Sequence, residues 1–360
     1  MNRLEARLDV RYPGFRLNVD LSLALDGVTV LFGPSGCGKT TFLRCIAGLE
    51  TPPEGHVRVG GETWQDGSRC LPTHKRSIGF VFQDARLFPH KTVHDNLLYG
   101  YRRIPDTERK IQPDTVTGLL GLGTLLNRRP LSLSAGEKQR VAIGRALLTS
   151  PRLLLMDEPL ANLDAQRKQE ILPYLSRMRA ELDCPILYVS HSMDEVLQLV
   201  DTLVLMEKGQ VRAVGPAAEV LTRIQPDKAL PASLAGSLLE TRVTGHEREY
   251  GLSLLSCNGQ PLHVPHQDLA AGSRLRLHVL AQDVSLVTGP REMQTSVLNI
   301  LAGKITAIEP AGEGGYSVNV LIDVGQPLLA TITKKSLANL KLQPGQEVFA
   351  YIKALKMIHN

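Results

Sequence analysis

The residues of this chain best suited to chemistry by type and spacing are Gly33-Pro34-Ser35-Gly36-Cys37-Gly38-Lys39-Thr40, followed by Thr41. The glycines let successive backbone N–H groups curl around a polyphosphate, and a helix starting behind them adds partial positive charge at its N-terminus. In this P-loop arrangement Lys39 reaches the β- and γ-phosphates, and the Thr40 hydroxyl ligates Mg2+. A second candidate group is Asp157-Glu158, which closes the apolar run Leu153-Leu154-Leu155-Met156. Two carboxylates at the end of a buried strand are costly without a metal or partners. Asp157 suits a contact to Mg2+, and Glu158 suits a base that polarises an attacking water. Two more apolar runs end on polar residues, Ile78 to Gln83 and Ile186 to His191. Such strand-end residues are ordinarily just solvated or structural, so their value lies in belonging to a set.

These groups must be positioned by an α/β scaffold. Val28-Thr29-Val30-Leu31-Phe32 is short, apolar and β-branched, which predicts a buried strand leading into the glycine turn. Residues 41–49 carry apolar positions at helical spacing. Residues 4–11 and 15–25 alternate apolar and polar and predict two strands. Tyr12 or Phe15 there is either a platform for an adenine ring or a half-buried strand aromatic. Gly55 to Gly61 reads as turn, strand, turn. Leu87-Phe88-Pro89-His90 leads into a mostly helical stretch that reaches Leu126, with breaks expected at Pro105 and Pro113. Ser134 and Gly136 open a further helix whose apolar face includes Val141, Ile143, Ala146 and Leu147, which alone is ordinary N-cap chemistry. The Asp157 strand then brings its carboxylates to the edge where α/β ligand sites lie.

The length of 360 residues allows about two domains, each with its own core. Residues 3–11 are charged and lack the apolar core of a signal peptide, and no stretch of the sequence is apolar enough to span a bilayer. Five cysteines are scattered singly, the pattern of reduced thiols in a cytosolic protein. A net charge of +5 is mild for this size and gives little support to a nucleic-acid partner.

Taken in order, these segments resemble an ATP-binding-cassette (ABC) ATPase over residues 1 to about 225. The matching stretches are the P-loop at 33–40, a Q-loop at Gln83, a signature at 133–137, Asp157 with Glu158, a D-loop at 161–164 and a switch histidine at His191. The ordered set is far more specific than any one motif. The resemblance implies ATP and Mg2+ as cofactors. Thr40, Gln83 and Asp157 would serve the metal, and Glu158, His191 and Gln83 would serve hydrolysis. It also implies a homodimer in which two cassettes pair head to tail, Ser134 and Gly136 of each closing over the partner's nucleotide. Where the family usually has Leu-Ser-Gly-Gly-Gln, this chain has Leu133-Ser134-Ala135-Gly136-Glu137. Phe88, Pro89 and His90 would form a coupling surface for a membrane subunit, with core packing as the alternative for Phe88.

Beyond about Pro231, helical patterns give way to short alternating strands with many glycines. A weak repeat relates 271–281 to 344–354, which points to paired small barrels. The second unit, 293–358, resembles the molybdopterin-binding-like (Mop) domains that hold tetrahedral molybdate or tungstate. The matched positions are Ser296, Asn299, Ser336 and Lys353, taken to come from first, middle and final strands; hydroxyl, amide and ammonium donors suit an oxyanion. The family usually has Ser-Ala-Arg-Asn where this chain has Ser296-Val297-Leu298-Asn299.

The expected fold is therefore an α/β P-loop NTPase domain (1–228) with a helical subdomain at about 86–150. A C-terminal all-β domain of small OB-like barrels (229–360) follows it. The whole chain resembles the ATP-binding subunit of a molybdate ABC importer. That implies integral membrane permease subunits, a solute-binding protein acting indirectly, molybdate as a regulatory ligand, and peripheral attachment to the cytoplasmic face of the inner membrane. Three other readings stay open: an importer for another oxyanion or metal, a molybdate-binding sensor or store with an idle cassette, and a soluble ATPase acting on nucleic acid. Lys39, Asp157, Glu158 and His191 all being present opposes an idle cassette. A C-terminal domain that is neither strongly basic nor aromatic-rich opposes nucleic acid.

Overall fold

The computed structural model describes residues 3–222, 235–289, 295–311 and 315–358, in two compact units, Met1–Val214 and Gly215–Asn360. The expected domain boundary at 228/229 and the start of the Mop-like unit at 293 lie outside the described residues.

In the first unit, strands Arg3–Tyr12 and Phe15–Ala24 pair as a long hairpin whose alternate side chains are buried. His56–Val59, Glu62–Asp66 and Arg69–Cys70 extend it into an antiparallel sheet. The other sheet runs, edge to edge, Gln210–Pro216, Thr202–Glu207, Val28–Phe32, Ile186–Ser190, Leu153–Asp157 and Ile78–Val81. The last five of these pair in parallel. Its three central strands are buried at every position, which is why they read as unbroken apolar runs and not as alternation. Helix Lys39–Ala47 is packed into the core that both sheets share: Phe42, Leu43 and Ile46 are buried with Leu4, Leu8 and Leu17 on one side and Leu153 and Leu155 on the other. The glycine turn is thereby anchored at both ends.

Arg76 locks the exit of that helix. It is 4% exposed and donates to the carbonyls of Cys45 (3.0 Å), Ile46 (2.5 Å), Trp64 (3.2 Å) and Leu71 (2.9 Å). Its charge sits at the helix C-terminus, where a cation offsets the carbonyl dipoles. Arg76→Ala would strand these acceptors and open a cavity. We expect it to cost about 3–5 kcal/mol of unfolding free energy, measured by denaturant titration. A loss of under about 1 kcal/mol would contradict the assignment.

The helical region differs from expectation at one point. Pro113 does not break a helix; it opens Pro113–Leu119 from the N1 position, where a missing N–H costs nothing. Helices Val93–Tyr101, Pro113–Leu119 and Ala135–Leu147 meet at Gly144. A Cβ there would come within 2.8 Å of Leu97, 3.1 Å of Val116 and 3.2 Å of Leu120.

The second unit shows the repeat in full. Gly236–Glu247, Leu252–Cys257, Gln260–Pro265 and Arg274–Leu280 form one sheet, and Asn299–Ala311, Ser317–Asp323, Pro327–Thr333 and Glu347–Ile352 form another with the same strand order. Both first strands carry a bulge at the matching place, Val243/Gly245 and Ile305/Ala307. The turns before the fourth strands use Gly272 at φ 89° and Gly345 at φ 88°. The two sheets then exchange their fifth strands. Val284–Val287 leaves the first repeat to pair with Glu347–Ile352, and Lys356–Ile358 returns to pair with Arg274–Leu280. One core fills the space between, uniting Leu239, Val243 and Leu277 with Leu301, Ile305 and Val348.

Candidate nucleotide site

Strand register decides which residues meet. Phe32 pairs with Ser190, Asp157 with Val189, and Val81 with Met156. The glycine turn, His191, the Asp157-Glu158 pair and Gln83 therefore follow the carboxyl ends of four adjacent strands, side by side along one sheet edge.

Within the turn, the Lys39 ammonium is 4% exposed and donates to the carbonyls of Gly33 (2.8 Å) and Pro34 (3.0 Å). Cys37 lies beside it, and burial pushes that thiol up, so it stays protonated. Gly38, at φ 103°, begins the helix; a Cβ there would lie 2.8 Å from both Phe15 and Leu17. Phe15 is thus the aromatic laid against the phosphate loop. Tyr12 stacks beside it, ring centroids 6.4 Å apart and planes 21° from parallel. The two widen one flat apolar platform next to the loop.

The Thr40 hydroxyl donates to Asp157 Oδ1 at 2.8 Å. Burial pushes the Asp157 carboxyl up, Thr40 opposes that shift, and Glu158 reinforces it. The pair offers two hard oxygens at one point. That suits a small divalent cation taking its remaining ligands from phosphates and water. Among the described residues no cluster of three or more His, Cys, Asp or Glu side chains forms a metal cage, and a phosphate-bound cation needs none.

Glu158 adopts φ 44°, a backbone conformation that costs a side-chain-bearing residue energy and recurs at functional sites. Its Oε2 lies 3.2 Å from His191 Nδ1. Gln83 is exposed in the turn after Ile78–Val81. The next residue, Asp84, accepts a hydrogen bond from Asn162 at 3.0 Å, tying that turn to the 161–164 loop.

Sequence reasoning missed the support behind His191. Glu195 is 3% exposed and accepts from the Tyr188 hydroxyl (2.8 Å), the Ser190 hydroxyl (2.8 Å) and the Lys168 ammonium (2.9 Å). Burial, with Glu195 alongside, pushes the Tyr188 phenol well above its usual range and keeps it a donor. Ser190 precedes His191, and Lys168 stands one turn into helix Ala165–Glu181, which Asp164 caps. One buried carboxylate so joins the histidine strand to the 161–164 loop. The only signal in the sequence is the i, i+5 and i, i+7 spacing of Ser190 and Tyr188 to Glu195, which matches no motif.

Ser134 caps helix Ala135–Leu147. Its hydroxyl accepts from Glu137 N (3.2 Å), and Glu137 Oε2 accepts from Ser134 N (2.7 Å). That reciprocal capping box gives the unusual glutamate a use, and the bond from Ser134 N holds its carboxyl below the usual carboxylate range. Ser134 is exposed. Gly136 is buried, and a Cβ there would press on Ile171 at 3.3 Å.

Phe88 is half-buried. Its backbone is clamped at both ends by Asn96 (2.8 and 3.1 Å), and its ring packs on Tyr99 and beneath Arg145. Pro89 and His90 beside it are exposed.

The four oxyanion candidates are not brought together within one chain. Ser296 is exposed before strand Asn299–Ala311, and Lys353 is exposed after Glu347–Ile352, whose Ile352 pairs with Asn299. The Asn299 amide bonds strand Gln260–Pro265 of the other sheet, accepting from His263 N (2.6 Å) and donating to His263 O (2.9 Å). Ser336 is not on a strand. It lies in helix Lys334–Leu340, where the Thr333 hydroxyl caps its N–H at 3.0 Å. Thr333 pairs with Ser317, and Ser317 with Ala311, so Ser336 stands at the opposite end of the long strand from Asn299.

The family model described as ABC transporter matches residues 17–161, and that of the TOBE domain matches residues 295–358. Among curated proteins, the chain is 50% identical over 362 residues to the molybdenum import ATP-binding protein ModC of Pseudomonas aeruginosa, covering 99% of this chain and 100% of that one. It is 49% identical over 362 residues to the protein of the same name from Methylococcus capsulatus, again covering 99% and 100%. The one from Aromatoleum aromaticum is 47% identical over 357 residues, covering 99% and 94%. Among solved structures, cbiO1 from Clostridium perfringens, part of the ABC transporter complex cbiONQ, aligns with TM-score 0.53 and 28% identity. That alignment covers 60% of this chain and 89% of that one.

Proposed function

This chain belongs to the family of molybdenum import ATP-binding proteins, and on that premise we propose that it hydrolyses ATP to drive molybdate through a separate membrane permease. The observation that carries the hydrolytic half is the strand register that lines up Lys39, Thr40, Asp157, Glu158, His191 and Gln83 along one edge. The cargo rests on near-full-length likeness to proteins named for molybdenum import.

The roles follow from position. The loop N–H groups and Lys39 hold the β- and γ-phosphates, and Phe15 with Tyr12 receives the adenine ring. Thr40 and Asp157 would hold Mg2+, with Gln83 reaching it from the neighbouring strand end. Bound there, the metal neutralises charge on the transferring phosphoryl group. Glu158 takes the proton of the attacking water, and His191, hydrogen-bonded to it, orients that carboxylate and faces the γ-phosphate. Ser134 and Gly136, exposed or backed by packing on another face, serve the nucleotide of a second copy in a head-to-tail homodimer. The rigidly held Phe88-Pro89-His90 corner is the surface offered to the permease. Among the described residues no helix is long and apolar enough to cross a membrane. In this reading the chain attaches at the cytoplasmic face of the inner membrane through that permease.

The test is ATPase activity of the complex reconstituted with its permease and solute-binding protein. Molybdate or tungstate should stimulate it and sulfate should not; equal response to all three would remove the cargo assignment. The same assay tests regulation at the C-terminal unit. If Ser296, Asn299 and Lys353 of one chain and Ser336 of its partner hold molybdate, millimolar molybdate on the cytoplasmic side lowers turnover, with a coupling of about 1–3 kcal/mol. The double variant Ser296→Ala, Lys353→Ala then loses that inhibition; inhibition persisting in it would exclude the site.

A further inference from the structure

A second positively charged feature of the C-terminal unit lies away from those residues. A hollow of about 630 Å³ opens over the first repeat, lined by Arg242, Arg274, Arg276, Glu240, Ser256 and Gln326 among others. Its floor is two neighbouring strands in which Arg242 stands directly opposite Arg274, and Glu240 directly opposite Arg276. The second pair is satisfied, since Arg276 Nε donates to Glu240 Oε1 at 2.6 Å. The first pair sets two exposed guanidiniums against each other across a ladder, an arrangement that is destabilising as it stands.

The internal repeat provides a control within the same chain. Aligning the two bulges places Arg242 on Lys304 and Arg274 on Glu347, and those two residues pair directly in the second repeat. At this cross-strand position the two copies of one fold therefore carry opposite charges in one and like charges in the other. The like-charged copy carries the hollow. Arg242 and Arg274 thus bring two guanidiniums to the hollow beside the Arg276–Glu240 pair. The Ser256 hydroxyl and the turn at Asn258 and Gly259 add polar groups at the rim. Guanidinium forks match tetrahedral oxyanions in geometry as well as charge.

We infer that this hollow is a binding site for a dianionic tetrahedral oxyanion, held between Arg242 and Arg274 with Arg276 beneath, and separate from the Ser296–Lys353 end of the unit. The ligand is free molybdate or a phosphate group, which share charge and shape. The anion supplies the opposite charge that Glu347 supplies in the second repeat.

The test is calorimetric titration of the full-length protein at constant ionic strength with two probes, sodium molybdate and inorganic phosphate. Wild type binds at least one of them, and the tighter binder identifies the source. Arg274→Glu installs the second repeat's charge pairing; it weakens that binding at least about tenfold and raises the thermal unfolding temperature measured without anion. Lys353→Ala leaves this binding event unchanged, which separates it from the regulatory reading above. Arg242→Gln weakens binding without creating the new ion pair and guards against an indirect effect of the glutamate. The proposal is overturned if neither probe binds wild type, or if Arg274→Glu binds as wild type does.

Discussion

Glu158→Gln is expected to bind ATP as tightly as the parent protein and to hydrolyse it about 10²–10⁴ times more slowly. The amide keeps the size of the carboxylate and can still contact His191 Nδ1, now 3.2 Å from Oε2, so the strained φ of 44° and the local packing survive. What is lost is the group that accepts the water's proton. ATP should then accumulate in a closed dimer, seen as a shift from monomer to dimer on size exclusion with ATP and not with ADP. Binding is measured with a fluorescent ATP analogue, and turnover by phosphate release. Hydrolysis within about threefold of wild type would take Glu158 out of the role of base.

Ser134→Arg should abolish hydrolysis while leaving the unfolding transition nearly unchanged. The side chain is exposed, so a larger residue meets no core, and only the capping box with Glu137 is disturbed. Its effect falls on the nucleotide of the facing subunit. Lys39→Ala should be inactive for the opposite reason, because in the proposed mechanism the lysine held by the Gly33 and Pro34 carbonyls serves its own chain's phosphates. Mixing the two dead variants rebuilds one complete site in each heterodimer. With random exchange and independent sites, about a quarter of wild-type activity should return, since the proposed twofold pair would place each chain's loop against the other's signature. No recovery on mixing, or a Ser134→Arg protein that works alone, would contradict the head-to-tail arrangement.

Much of the candidate nucleotide site was legible because its residues cluster in sequence at the ends of apolar runs. A run such as Leu153–Asp157 announces both a buried strand and the carboxylate delivered at its end. The parallel order of those runs then fixes which ends are neighbours. The Glu195 network was not legible, because its three donors come from a strand and from a helix well upstream, and only tertiary packing joins Lys168 to Glu195. Ser336 was misplaced because β-branched Ile332 and Thr333 continue the strand pattern, while a single hydroxyl at Thr333 turns the next residues into a helix. The repeat showed in sequence only at its turn-plus-strand segment, since burial fixes alternation but leaves residue identity loose. Arg242 and Arg274 became a pair only once the register was known.

The exchanged fifth strands carry a consequence for biogenesis. As the chain leaves the ribosome, the first sheet of the C-terminal unit has four of its strands by Leu280 but lacks the edge that Lys356–Ile358 will supply. The edge of Arg274–Leu280 thus stays open through the synthesis of the entire second repeat. The cassette, whose strands all precede residue 217, can fold while translation continues, as N-terminal domains commonly do. The C-terminal unit cannot close until nearly its last described residue is free. A prematurely terminated chain would present a folded cassette beside an unpaired strand edge, the kind of surface that invites aggregation and chaperone capture.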